Sequence, residues 1–127
     1  MKPTAIGENH LYSKVYQKGR RCVGKYVAVY VLIDRRADRL RLENPHKVKI
    51  NRIGITCTKK TGKAVIRSRV KRIMREAWRL LNAESNIRTG YLVVIAARDG
   101  IQKVKTQDIL LDLENAVNKL GLSERTK

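Results

Sequence analysis

The sequence predicts an α+β fold, one small mixed sheet packed by helices. Three observations carry that expectation. Two stretches rich in β-branched and aromatic residues, 23–33 and 91–97, read as strands on a pleated, half-buried surface. Two others, 64–82 and 106–120, repeat their apolar residues at helical spacing. Strand and helix signals alternate along the chain instead of segregating, which places helices against a common sheet.

The elements follow in order. Residues 9–18 predict a short helix, with Leu11, Tyr12, Val15 and Tyr16 at helical spacing and Gly19 placed to end it. A strand over Val23 to Ile33 would alternate Tyr26, Ala28 and Tyr30 on one face with Val27, Val29, Val31 and Ile33 on the other. Residues 34–52 form a charged connection holding the turn signal Asn44-Pro45. A second strand, Arg52 to Thr58, sets Ile53, Ile55 and Cys57 against Gly54, Thr56 and Thr58. Thr61-Gly62 breaks that pattern, and a long helix runs from Ala64 to Asn82. Tyr91 to Ala97 follows Gly90 as a third strand. A last helix, from Thr106 as N-cap to Leu120 with Gly121 as C-cap, gathers Ile109, Leu113, Ala116, Val117 and Leu120 on one face. The expected order is α-β-β-α-β-α within one domain over 1–127, with 121–127 as a tail.

The charge is far from ordinary. Twenty-nine Lys and Arg against eleven Asp and Glu give a formal net charge of +18 in 127 residues. Self-repulsion on that scale opposes compaction, so a polyanionic partner is the simplest reason to keep it. Nucleic acid leads; a membrane surface is second and weak. No apolar run approaches the roughly 20 residues that span a bilayer, and 1–7 lacks the apolar stretch of a secretory signal. Cys22 and Cys57 make neither a disulfide framework nor a zinc pattern, and read as free thiols in a reducing cytoplasm.

The long helix carries the sharpest pattern. At 100° per residue, Ile66, Val70, Ile73, Met74, Ala77 and Leu81 share one arc that must pack on the sheet, with Trp78 packing at its edge. Arg67, Arg69, Lys71, Arg72, Arg75 and Arg79 cover most of the other half, and only Glu76 interrupts them. Like charges at i,i+4, as in Arg67, Lys71, Arg75 and Arg79, cost a few tenths of a kcal/mol per pair. A merely solvated face would mix its signs. The pattern fits a surface that contacts phosphates. Lys59, Lys60 and Lys63 surround Gly62 just before the first turn, where free N–H groups and the helix dipole favour anions.

Catalysis by the chain alone is not expected. His10 and His46 stand apart, without acid–base partners. The carboxylates are scattered; Asp108, Asp112 and Glu114 are read as solvating the outer face of the last helix. No catalytic constellation and no protein metal site emerges.

The stretch from Arg52 to Trp78, RIGITCTKKTGKAVIRSRVKRIMREAW, closely resembles the signature of the ribonuclease P protein subunit. That signature is a Gly-containing strand, a Lys-Lys-x-Gly turn, then Ala-Val-x-Arg-Asn-Arg-x-Lys-Arg and Arg-Glu-Ala. The resemblance extends to Tyr12 through Gly19 and to Gly90 through Arg98, covering most of 8–120. Ser68 stands where the family has Asn, Lys63 replaces an Asn after the turn Gly, and Tyr12 and Tyr16 replace residues that are often Phe. The 34–52 connection is longer than usual.

The resemblance implies a compact α/β sandwich with a left-handed βαβ crossover, like a small ribosomal-protein domain. It implies a partner, a large catalytic RNA that uses Mg²⁺ to remove the 5′ leader of precursor tRNA; the Mg²⁺ belongs to RNA and substrate. Lys60, Lys63, Arg67, Ser68, Arg69, Lys71, Arg72, Arg75 and Arg79 would contact that RNA. Tyr12, Tyr16, Tyr30, Thr56, Thr58 and Lys59 would line a cleft for the single-stranded leader, supplying rings, hydroxyls and a cation. Spacing alone leaves Tyr12 and Tyr16 open between core packing and a stacking platform. A ribosomal protein would share the charge and size but not the joined strand, turn and helix. A DNA-binding helix-turn-helix protein is less apt, because strands flank the basic helix.

Overall fold

A computed structural model of the chain describes residues 4–6, 9–33, 51–58, 61–84, 87, 90–98 and 100–122. Its elements are β1 (Thr4–Ala5), α1 (Asn9–Lys18), β2 (Arg20–Val23), β3 (Val27–Ile33), β4 (Arg52–Thr56), α2 (Ala64–Glu84), β5 (Tyr91–Ala97), a 3₁₀ turn (Ile101–Lys103) and α3 (Thr106–Lys119). The strands form one sheet in the order β1-β4-β5-β3-β2. β1–β4 and β4–β5 pair parallel, while β3–β5 and β2–β3 pair antiparallel. The sheet is therefore mixed, as expected, and β4–α2–β5 is its βαβ crossover. Most of the long connection and of the tail, residues 34–50 and 123–127, lies outside the described residues.

Strand alternation sorts two cores. Val27, Val29, Val31, Ile53, Val93 and Ile95 face α2 and α3, meeting Val70, Met74, Ala77, Trp78, Leu81, Ile109, Leu113 and Val117. Burying a side chain of this size stabilises by about 1.5–3 kcal/mol. On the opposite face Leu92 and Val94 meet Leu11 and Val15 of α1 and Ile6, with Tyr12, Tyr30 and Leu32 packed around them. The sheet is thus a middle layer with α2 and α3 on one side and α1 on the other.

Several sequence expectations change. The strand expected over 23–33 is a hairpin, β2–β3, turning at Gly24. Its cause lies far along the chain. Asp112, expected on the solvated face of the last helix, is buried, and its carboxylate accepts the N–H groups of Lys25 (3.0 Å), Tyr26 (2.6 Å) and Val27 (3.0 Å). A Cβ at Gly24 would sit 2.7 Å from Asp112 Oδ1, so only glycine lets the turn close on that carboxylate. Tyr26, expected beside Ala28 and Tyr30, belongs to this turn and packs with the α2/α3 core instead.

The second strand ends at Thr56, two residues early, and α2 continues two residues past Asn82. Ile66 is 37% exposed and lies beside Gly62, in a first turn of α2 whose Val65 is exposed as well. Thr106 is the first residue of α3 and not its N-cap; Asp108 reaches back to accept the Lys105 N–H at 3.0 Å. Gly121 closes α3 as expected, with φ 75°. The Leu122 N–H meets the Val117 carbonyl and the Gly121 N–H meets that of Asn118, a Schellman ending that buries Leu122. Among the described residues no helix is long and apolar enough to cross a membrane.

Candidate nucleic-acid interface

The α1 side of the sheet brings separate segments together. Leu11 and Val15 anchor α1 in the core, and the i,i+4 pair Tyr12 and Tyr16 projects beside them over the sheet. Tyr12 lies on the backbone of β4: a Cβ added to Gly54 would be 2.5 Å from Tyr12 Cε1. Burial there, and then the neighbouring Tyr16, raise the Tyr12 phenol above its ordinary range. Tyr16 is 41% exposed, shares a hydrogen bond with Thr56 (Oη to Oγ1, 3.1 Å), and meets the Tyr30 ring edge-on at 4.8 Å and 79°. Tyr12, Tyr16, Tyr30 and Thr56 therefore form one surface. Thr58 is exposed just beyond β4. Lys59 lies outside the described residues.

Register defines the floor of this surface. One row runs Gly54, Val94, Tyr30, Arg21 from β4 to β2, and the next runs Thr56, Ala96, Ala28, Val23. The second row is small across its middle, where Ala96 and Ala28 stand side by side. Arg21 and Gly54 were not among the expected site residues. Gly24, as a turn signal, would have revealed the hairpin that brings Arg21 beside Tyr30; nothing local marks Gly54 as the seat of Tyr12.

The cationic helix lies in the other layer. On α2, Arg69, Arg72, Arg75 and Arg79 are exposed, as are Lys63 and Ser68, while Arg67 and Lys71 are half-buried. Lys60 lies outside the described residues. The Arg67 Nε is buried and makes no hydrogen bond. Arg79 is held by a carboxylate of its own helix: Glu76 takes its Nε at 2.9 Å and Nη2 at 2.6 Å. That bidentate bond lowers the Glu76 carboxyl below its ordinary range and screens the Arg79 charge. At the start of the helix the Thr61 N–H closes a turn on the Thr58 carbonyl at 3.0 Å, and Gly62 has φ 146°, which a side chain there would resist.

Three of the described acids have structural work: Glu76 pairs with Arg79, Asp108 caps α3, and Asp112 holds the β2–β3 turn. Among the described residues no three His, Cys, Asp or Glu side chains come together as a metal site. Cys57 packs against the core as expected, Cys22 does likewise, and both are free.

These features define a small, strongly basic α+β protein with a cationic helix on one side of its sheet and a tyrosine surface on the other. Comparison with known proteins gives the family. A family model for ribonuclease P matches residues 2–121. The ribonuclease P protein component of Clostridium acetobutylicum is 37% identical over 122 residues, covering 96% of this chain and 92% of that protein. That of Caldanaerobacter subterraneus subsp. tengcongensis is 32% identical over 97% of this chain and 94% of its own. Among solved structures, a ribonuclease P protein of Staphylococcus aureus superposes with a TM-score of 0.73 at 24% identity, covering 95% of this chain and 98% of that one. The Thermotoga maritima protein gives 0.68 at 20% identity, covering 87% and 92%. The chain belongs to the ribonuclease P protein family, the protein component of a tRNA-processing ribonucleoprotein.

Proposed function

We propose that this chain is the accessory subunit of ribonuclease P, acting as a single domain in the cytoplasm. It binds the catalytic RNA through α2 and the single-stranded 5′ leader of precursor tRNA through the tyrosine surface, and so promotes removal of the leader. The RNA performs the cleavage, with Mg²⁺ held by RNA and substrate.

The observation that carries this reading is the division of labour across the sheet. The α2 stripe has the charge density for a phosphate backbone but no exposed ring among its residues. The opposite surface has Tyr16, Tyr30 and Thr56 in mutual contact, with Tyr16 open to solvent, the chemistry on which unpaired bases stack. One surface suits folded RNA and the other a single strand, and an accessory subunit for leader removal needs both.

The test is cleavage of precursor tRNA by a bacterial ribonuclease P RNA at low Mg²⁺, with and without this chain. Stimulation by the chain, with no cleavage from the chain alone, is expected. Tight RNA binding without stimulation would remove the reading.

A further inference from the structure

We infer that Arg21 is a phosphate contact on the tyrosine surface, extending the path of a single strand from Tyr16 and Tyr30 to the open edge of the sheet. The inference rests on the leader-binding reading above and assigns that surface a cation from among the described residues.

A single strand needs rings for its bases and cations for its backbone. The cations of α2 cannot serve here, because α2 packs on the other face. On α1, at 100° per residue, Lys14 and Lys18 leave the helix about 160° around from Tyr16. Strand register places two arginines on the tyrosine face. Arg52, in the row with Leu92 and Leu32, is only 6% exposed and already engaged. Arg21 is exposed, stands directly opposite Tyr30, and pairs with no acid among the described residues.

Geometry favours a continuous path. Directly opposed residues of antiparallel strands have Cβ atoms about 4.5–5.5 Å apart, so the Arg21 guanidinium reaches the space beside the Tyr30 ring. Among the described residues β2 is the last strand of the sheet, with none beyond Arg21. The row from Gly54 to Arg21 crosses three strand spacings, about 14 Å at ~4.8 Å each, enough for more than one nucleotide. The planar fork of arginine suits this place, because it grips phosphate with two parallel bonds and stacks on rings. Its neighbour supplies a control within the same strand. Arg20 is also exposed but pairs with Val31 on the α2 side.

The experiment measures binding of precursor tRNA and mature tRNA to holoenzyme reconstituted with a bacterial ribonuclease P RNA, across a KCl series. Arg21→Ala is expected to weaken precursor binding about three- to tenfold and to reduce its salt slope by about 0.7, the value for one single-strand phosphate. Mature tRNA binding should not change. Arg20→Ala should leave the preference for precursor intact, and Arg21→Lys should restore the slope with part of the affinity. Equal losses of preference for Arg20→Ala and Arg21→Ala would mean a general charge effect and overturn the inference. Tyr16→Ala runs in parallel: if it lowers the preference and Arg21→Ala does not, Arg21 alone is misassigned. If neither lowers it, the leader-binding reading fails and the inference with it.

Discussion

The cationic helix and the tyrosine surface differ in how they are assembled. Every cation of the stripe sits on α2, so local periodicity alone brings them together. The tyrosine surface draws on α1, β3 and β4, with Arg21 added from β2, and exists only when long-range register is correct. The first tolerates the loss of a residue one charge at a time. The second depends on remote groups that touch none of its rings, Asp112 above all. A surface written in one helix is robust and visible; one written across the fold is conditional and hidden.

The largest expected effect attacks that dependence. Asp112→Ala leaves three backbone N–H groups of the β2–β3 turn without their acceptor and should cost about 3 kcal/mol in urea unfolding. At temperatures where the variant remains folded, discrimination between precursor and mature tRNA should fall more than affinity for the catalytic RNA. Equal falls would show that the hairpin does not set the tyrosine surface.

Tyr16→Ala comes next. Loss of one stacked base is worth about 1–3 kcal/mol, or roughly 5- to 150-fold, and should appear in precursor binding but not in mature tRNA binding. Equal losses would return Tyr16 to a packing role. Arg67→Ala should weaken the catalytic RNA complex about fivefold and reduce its salt slope by about one. The same change at Arg79 should do less, since Glu76 already holds that guanidinium. An equal effect at both positions would mean that RNA displaces Glu76.

The smallest effect is a pH dependence. The Tyr12 phenol is raised by burial and then by Tyr16, so the folded state holds its proton more tightly than the unfolded state does. Its contribution to stability is therefore full below the ordinary value of 10.0 and is lost as pH rises through the folded value. Tyr12→Phe should flatten unfolding free energy against pH in that alkaline window; an unaltered slope would place the phenol in solvent.

The same contrast explains what the sequence reveals. The mixed sheet, α1, β5 and the bounds of α2 and α3 to within two residues follow from local periodicity and Gly punctuation. The α2 stripe is legible for the same reason, although its pairing of Arg79 with Glu76 is not. The hairpin is missed because Val23 to Ile33 is apolar enough to pass for one strand, and the carboxylate that bends it lies at Asp112. Tyr26 then falls on the wrong side. Periodicity on α1 leaves its tyrosines open between core and platform. The structure divides them by degree: Leu11 and Val15 are core, Tyr12 is half-buried on Gly54, and Tyr16 stands partly in solvent.

The proposed function requires opposite sides of one sheet to engage different RNAs. The direct measurement titrates an Arg67→Ala/Lys71→Ala double variant and Tyr16→Ala against the catalytic RNA alone, then compares precursor with mature tRNA on each holoenzyme. A crossed result is expected: the double variant loses affinity for the catalytic RNA and keeps its preference for precursor, while Tyr16→Ala keeps the affinity and loses the preference. Loss of both properties in both variants would contradict it, and would mean that the two surfaces form a single RNA site.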